Sequence, residues 1–261
     1  MLSIVNTIKD NKFLISTWAK YNLQANYIDT KLGVFWIILQ PIFQTLIYTL
    51  VFGTLLGRNP RGDVPFILFF LAGTSVWQFM NNNWMQASNI VVKNINLMSQ
   101  VKISAEAVVI VQLVESLVDF IINFVILVVF SLLFGYFPTY YYLYLPLIFA
   151  IIIVTTLGGM FFISSLGVFI RDIPTLLSMV LRLLFFVSGV IITPDMLPQD
   201  IQGFLWLNPL LQMIETVRNL VIYAKAPTFQ SVLYMASFSI LVFWGGYSHF
   251  KKRQGVFVDY Q

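Results

Sequence analysis

The sequence predicts an all-α integral membrane protein. It has an amphipathic N-terminal helix at the membrane interface, six transmembrane helices, and a short re-entrant helical hairpin before the last span. Three observations carry this reading. Of 261 residues, 59% are hydrophobic and only 10% are charged, whereas a soluble domain carries about 25% charged side chains. The apolar residues fall in blocks of about 20, the length that crosses a bilayer as a helix. The basic residues flank those blocks, as topology signals do. A single membrane domain follows over residues 1–261, divided into an interfacial helix at 1–30, a six-span bundle at 33–249 and a cytoplasmic tail at 250–261.

The N-terminal segment repeats Leu14, Trp18, Tyr21, Ala25 and Ile28 at helical spacing, with Lys9, Lys12, Ser16, Lys20 and Gln24 on the other side. Such a helix lies along the interface with its lysines toward anionic head groups. The first span runs over 33–56 and contains Pro41, where a kink is expected. The second runs from Val64 to about Phe79 and exits at Asn81-Asn82-Asn83, before a polar stretch at 85–106. The third covers 107–134. The fourth covers 143–170, where Gly158-Gly159 and Ser164-Ser165 permit close helix contact. Arg171-Asp172 then breaks the pattern, and Asp172 is placed to cap the fifth span at 174–193. Between 194 and 230 the prolines and a stripe of Leu210, Ile214, Val217 and Val221 predict a helix too short to span, capped by Asn208 with Pro209 in its first turn. The sixth span is 231–247, followed by Lys251-Lys252-Arg253.

Counting Lys and Arg sets the orientation. One side holds Lys9, Lys12, Lys20, Lys31, Lys93, Lys102, Arg171, Lys251, Lys252 and Arg253. The other holds Arg58, Arg61, Arg218 and Lys225, and Arg182 lies within a span. Ten against four puts both termini in the cytoplasm.

Composition also excludes function classes. There is no cysteine and one histidine, His249, at the end of the last apolar block, so cysteine-ligated metal sites are excluded and no other metal site or histidine-based catalytic triad is expected. No two acids are neighbours, which argues against a metal-dependent membrane transferase. The net charge of +4 is not gathered into a basic, aromatic-interleaved patch, so no nucleic-acid partner is expected. No G-x-x-x-x-G-K-[ST] loop is present, so ATP and Mg would be bound by a partner and no cofactor by this chain. No catalytic residue is assigned. Glu115 and Asp119, four apart in the third span, share a helix face. They admit a proton relay, but burial against partners such as Arg182, or a water-lined seam, is the simpler reading.

Several motifs resemble a known family. They are Tyr27-x-x-Thr30-x-Leu32-Gly33-x-x-Trp36 leading to Pro41, then Ile47-Tyr48-Thr49-Leu50-Val51-Phe52-Gly53. Phe169-Ile170-Arg171-Asp172-Ile173 and Asn208-Pro209-Leu210 with Glu215 and Arg218 complete the set. In this order they resemble the permease subunits of ABC-type polysaccharide and polyol-phosphate exporters, which move O-antigen, capsule or teichoic acid. The resemblance implies a homodimer of permeases above two ATPase subunits, a channel at the dimer interface, and a lipid-linked polysaccharide as cargo. It implies that the N-terminal helix and the 85–106 stretch meet the ATPase, with Asn94, Asn96 and Gln100 as polar contacts around Ile95, Leu97 and Met98. It also places Arg171, Lys20 and Lys31 where a lipid pyrophosphate enters. Two other readings stay open: an ABC permease for a small drug or lipid, and a proton-coupled carrier using Glu115 and Asp119.

Overall fold

The computed structural model describes residues 12–28, 35–55, 57, 64–101, 103–196 and 198–259. Lys31 and Gly33, and the flanking charges Lys9, Arg58, Arg61 and Lys102, lie outside the described residues, as does the side chain of Tyr27. The described residues form helices and turns with no strand. The helices are α1 (Lys12–Ile28), α2 (Phe35–Tyr48), α3 (Phe66–Lys93), α4 (Ile95–Val101), α5 (Ala105–Leu133), α6 (Leu145–Phe169), α7 (Ile173–Val187), α8 (Gln199–Trp206), α9 (Pro209–Val221) and α10 (Phe229–Arg253). A wide π turn, Thr49–Leu55, extends α2, and 3-10 turns at Tyr140–Tyr144, Pro194–Met196 and Gln254–Asp259 complete the chain.

Among the described residues, four segments are long and apolar enough to cross a membrane: Ile38–Leu55, Ala105–Leu133, Tyr140–Phe169 and Phe229–Phe257. The other two expected spans fall on α3 and α7. Helix α7 is apolar but has only 15 residues. Helix α3 has 28 residues and is diluted by its asparagines and glutamines. It is the hub of the bundle, packed against α5, α6, α7 and α9.

The sequence placed a polar exit at Asn81–Asn83, but α3 continues to Lys93 because its buried face continues through Trp84, Ala87, Ser88, Ile90 and Val91. The amides do not stop it. Asn83 is fully buried, donates to the Phe79 carbonyl at 2.7 Å and accepts from Ser116 of α5 at 2.8 Å. A buried amide with both ends satisfied costs little. The expected 85–106 loop is therefore mostly helix: the end of α3, the one-residue junction Asn94, and α4.

Small residues set the closest helix contacts, as expected for Gly158-Gly159. A Cβ on Gly158 would sit 2.5 Å from Phe243 Cα of α10, and one on Gly246 would sit 2.0 Å from the Gly158 carbonyl oxygen. Gly159 makes room for Trp84, whose indole donates to the Thr156 carbonyl at 3.1 Å. Ser164 and Ser165 return their hydroxyls to their own helix, at Phe161 (3.2 Å) and Phe162 (3.0 Å). Backbones approach this closely only where no side chain intervenes.

Contacts sort the bundle into two ends. At one end α4 meets the Gln254–Asp259 turn, Lys251 pairs with Glu106 at 2.6 Å, and Phe257 packs on Phe169. The segment expected as a tail thus returns to the bundle, with Phe257 fully buried. At the other end, Asn208 donates to the Val187 carbonyl at 3.3 Å and Tyr234 donates to the Leu207 carbonyl at 2.6 Å. That end gathers α8, α9, the close of α7 and the start of α10.

The packing of α1 is defined, and the cap of α7 is corrected. Helix α1 packs on α5 through Ile15, Ala19 and the half-buried Leu14, Trp18 and Asn22, whereas Tyr21 is 69% exposed. Asn22 donates to Glu115 on the packed face, so the expected stripe is shared between that face (Leu14, Trp18) and the exposed side (Tyr21). Asp172 holds the cap position of α7 but its carboxylate accepts no cap bond. Its backbone is already helical (φ −87°, ψ −3°) rather than extended. Pro174, which has no N–H, also removes one of the donors such a cap would serve.

Candidate functional site

Three helices each present one regular stripe to a shared groove of about 630 Å³. Helix α2 contributes Gln40, Gln44 and Tyr48, spaced by four. Helix α3 contributes Thr74, Trp77, Gln78, Asn81, Asn82 and Met85. Helix α7 contributes Ser178, Leu181, Arg182, Phe185 and Phe186. Spacings of three and four place each set on one helix face. Gln78 donates to Gln44 at 2.6 Å and ties α3 to α2. Trp77 meets Phe185 edge-on at 5.9 Å, and Tyr48 stacks on Phe70 at 4.6 Å. The wall therefore alternates uncharged amides, which both donate and accept, with aromatic faces.

The polar character continues through the bundle. A smaller cavity of about 90 Å³ on the α5 side of α3 shares Gln78 and Asn82 with the groove and holds Glu115, Asp119, Gln112 and Asn123. A third, about 120 Å³, lies beneath α1 and shares Gln86, Gln112 and Glu115 with the second. Glu115 accepts from Asn22 of α1 at 2.7 Å. Arg182 lines neither of these cavities, so the suggested Glu115–Arg182 partnership is replaced by Asn22, and the polar-seam alternative fits.

Arg218 anchors the far end of the bundle. It is 0% exposed and stacks over the Phe69 ring at 3.6 Å. Its guanidinium donates to the Phe69 carbonyl (3.1 Å), the Gly189 carbonyl (2.6 Å), the Val190 carbonyl (2.8 Å) and Glu215 Oε1 (2.6 Å). The fork geometry of arginine suits several oxygens at once. Gly73 leaves room for it, since a Cβ there would lie 2.3 Å from Nη2. Gly189 turns the chain at φ +77°, a conformation that favours glycine. The Glu215–Arg218 pair was legible at i,i+3. The three carbonyls come from distant segments and were not. Buried whole, Arg218 is no flanking charge, so three of the four opposing basic residues remain for the orientation count.

The remaining sequence candidates scatter. Lys20 and Arg171 are exposed, on α1 and in the turn before α7, and neither lines the groove. Trp36 is 45% exposed on α2, and Pro41 is buried within that helix. Asn208 caps α9 by accepting from Leu210 N–H at 2.9 Å, with Pro209 in the first turn, as its local pattern indicates. Asn94 caps α3 and donates to the Ile90 carbonyl at 2.8 Å. On α4, Ile95 and Met98 point inward while Asn96, Leu97, Ser99 and Gln100 are exposed.

A family model described as ABC-2 type transporter matches residues 14–222, which include the groove, the α4 turn and Arg218. The chain belongs to the ABC-2 type transporter family. Membership makes this permease a membrane transport component and implies an ABC ATPase partner. The chain is 22% identical over 261 residues to an O-antigen export system permease protein RfbA of Myxococcus xanthus, covering 99% of both chains. It is 22% identical over 224 residues to an RfbA of Klebsiella pneumoniae, 85% of each. To the polysialic acid transport protein KpsM of Escherichia coli it is 22% identical over 233 residues, 89% of this chain and 90% of that one.

Proposed function

We propose that this ABC-2 permease is the membrane subunit of an ATP-driven exporter of lipid-linked cell-surface polysaccharide, of the O-antigen, capsule or teichoic acid kind. It works as a homodimer with two ATPase subunits, in the cytoplasmic membrane, with six spans and both termini inside. The amide-and-aromatic groove carries this reading. Amides match sugar hydroxyls, and aromatic rings match the apolar faces of pyranoses. A site for a small drug or lipid is lined mainly by apolar side chains, whereas Gln40, Gln44, Gln78, Asn81 and Asn82 all face this groove. The acids that a proton-coupled carrier would use line the neighbouring cavity rather than the groove, and Asn22 already engages Glu115. Arg171, Lys20 and Lys31 would meet the lipid pyrophosphate at the cytoplasmic interface, where arginine binds in two-pronged fashion.

Helix α4 is the ATPase contact in this account. Its Asn96 and Leu97 are free to dock, while Ile95 and Met98 hold it to the bundle. Leu97→Asp is expected to abolish export and leave thermal stability within about 0.5 kcal/mol of wild type, as surface changes do. Met98→Asp is expected to lower stability by several kcal/mol, because it buries a carboxylate. Export is read as surface glycan on intact cells and stability as the melting point of purified protein. Normal export by Leu97→Asp removes α4 as the coupling element. The groove is tested in the same cells. Gln44→Leu with Trp77→Ala should cut export at least tenfold, each lost hydrogen bond or ring contact being worth about 1 kcal/mol. Export at wild-type rate would remove the groove from the route.

A further inference from the structure

We infer that the groove is built for a negatively charged cargo and that Arg182 is the residue that meets its phosphate or carboxylate groups. This rests on the glycan-export reading and adds a substrate class to it.

Among the described residues, Arg182 is the only charged side chain lining the groove. A cation inside a membrane span costs on the order of 3 kcal/mol on insertion scales, so it is kept where it meets water, a partner or a ligand. The arginines of α7 and α9 differ sharply. Arg218 is fully enclosed and donates four hydrogen bonds. Arg182 is exposed, and among the described residues no hydrogen bond or ion pair engages it. It occupies the α7 stripe between Ser178 and Phe186, in the middle of the groove wall.

Among the described residues no acid lines the groove either. Its other polar side chains are amides and hydroxyls, and the acids of α5 lie in the neighbouring cavity. The described lining therefore carries a net positive charge. Amides hold hydroxyls without regard to charge, whereas an unengaged guanidinium favours an oxyanion and binds it in fork geometry. Two parts of a lipid-linked glycan carry such oxyanions: acidic groups in the repeat units and the pyrophosphate of the lipid carrier. Both present the same chemistry to Arg182.

The chain has no cysteine, so Asn81→Cys places one reporter thiol in the groove. Its alkylation by N-ethylmaleimide is followed by mass on the permease chain of the purified permease–ATPase complex. Protection is measured with maltoheptaose, a galacturonic acid heptamer and inorganic pyrophosphate. The expected result is half-protection by the galacturonate heptamer at about tenfold lower concentration than by maltoheptaose, the difference that one charge-assisted hydrogen bond confers. Arg182→Gln should erase that difference, and Arg182→Lys should keep part of it. Protection by pyrophosphate as strong as that by the heptamer assigns the oxyanion to the lipid carrier. Weak protection by pyrophosphate assigns it to the repeat units. Equal protection by the two oligosaccharides in the parent protein overturns the charge selectivity and leaves a glycan groove standing. Failure of every sugar to protect overturns the groove reading itself.

Discussion

Arg218→Met is expected to be among the most damaging single changes in this protein. The substitution removes four hydrogen bonds at once and leaves the carbonyls of Phe69, Gly189 and Val190 without this donor. It also strips the buried Glu215 carboxylate of its cation. Removing one partner of a buried pair costs about 3–5 kcal/mol. A solvated i,i+3 pair on a helix surface would cost only about 0.2–0.5 kcal/mol, so the measurement separates the two roles cleanly. At about 2–4 °C per kcal/mol for a chain of this size, the melting point should fall by roughly 10 °C. Arg218→Lys should recover little, because an ammonium lacks the planar fork that reaches three carbonyls and a carboxylate together. Pairing Arg218→Met with Glu215→Met should recover part of the loss, since it removes the stranded charge. A melting point within about 2 °C of wild type for Arg218→Met would show that the clamp contributes little.

The second large effect lies at the contact of α6 and α10. Gly246→Leu should prevent the native bundle from forming. Its Cβ alone would lie 2.0 Å from the Gly158 carbonyl oxygen and 2.9 Å from the carbonyl carbon. These are backbone atoms, so no rotamer change relieves the overlap, and the two helices must part. Overpacking that side chains can absorb costs about 1–3 kcal/mol, and this site has no such relief. Parting also disturbs the Phe161–Tyr247 and Phe161–Phe250 ring contacts, at 5.3 and 5.1 Å. Gly245 is the control. A Cβ there meets nothing within 4 Å, so Gly245→Ala should fold normally. Monodisperse elution after detergent extraction distinguishes the two variants. Equal elution of Gly246→Leu and wild type would mean that the close approach is not needed.

What could be read from sequence followed from locality. The third, fourth and sixth spans emerge as α5, α6 and α10 with ends shifted by a few residues, because each is one apolar block bounded by polar residues. The Asn208–Pro209 start of α9 is legible because cap and helix are adjacent in the chain. Features assembled from distant segments were not legible. The groove needs stripes from α2, α3 and α7 together, and each stripe alone looks like scattered amides and aromatics in a span. The extension of α3 to Lys93 was hidden because Asn81–Asn83 resemble an exit until Ser116 is seen to engage Asn83. The docking of α1 on α5 was not legible because Asn22 and Glu115 lie 93 residues apart in the chain. Asp172 matched a cap by residue type alone, and the backbone angles decided otherwise.

The central claim is that this permease carries lipid-linked polysaccharide across the membrane on energy supplied by a separate ATPase. It is tested most directly with inside-out membrane vesicles bearing the permease with its ATPase and loaded with lipid-linked polysaccharide in the outward-facing cytoplasmic leaflet. The account predicts that the polymer becomes inaccessible to an added glycosidase only when ATP is supplied, and that Leu97→Asp in α4 blocks this protection. Protection that proceeds without ATP and follows an imposed pH gradient would contradict it.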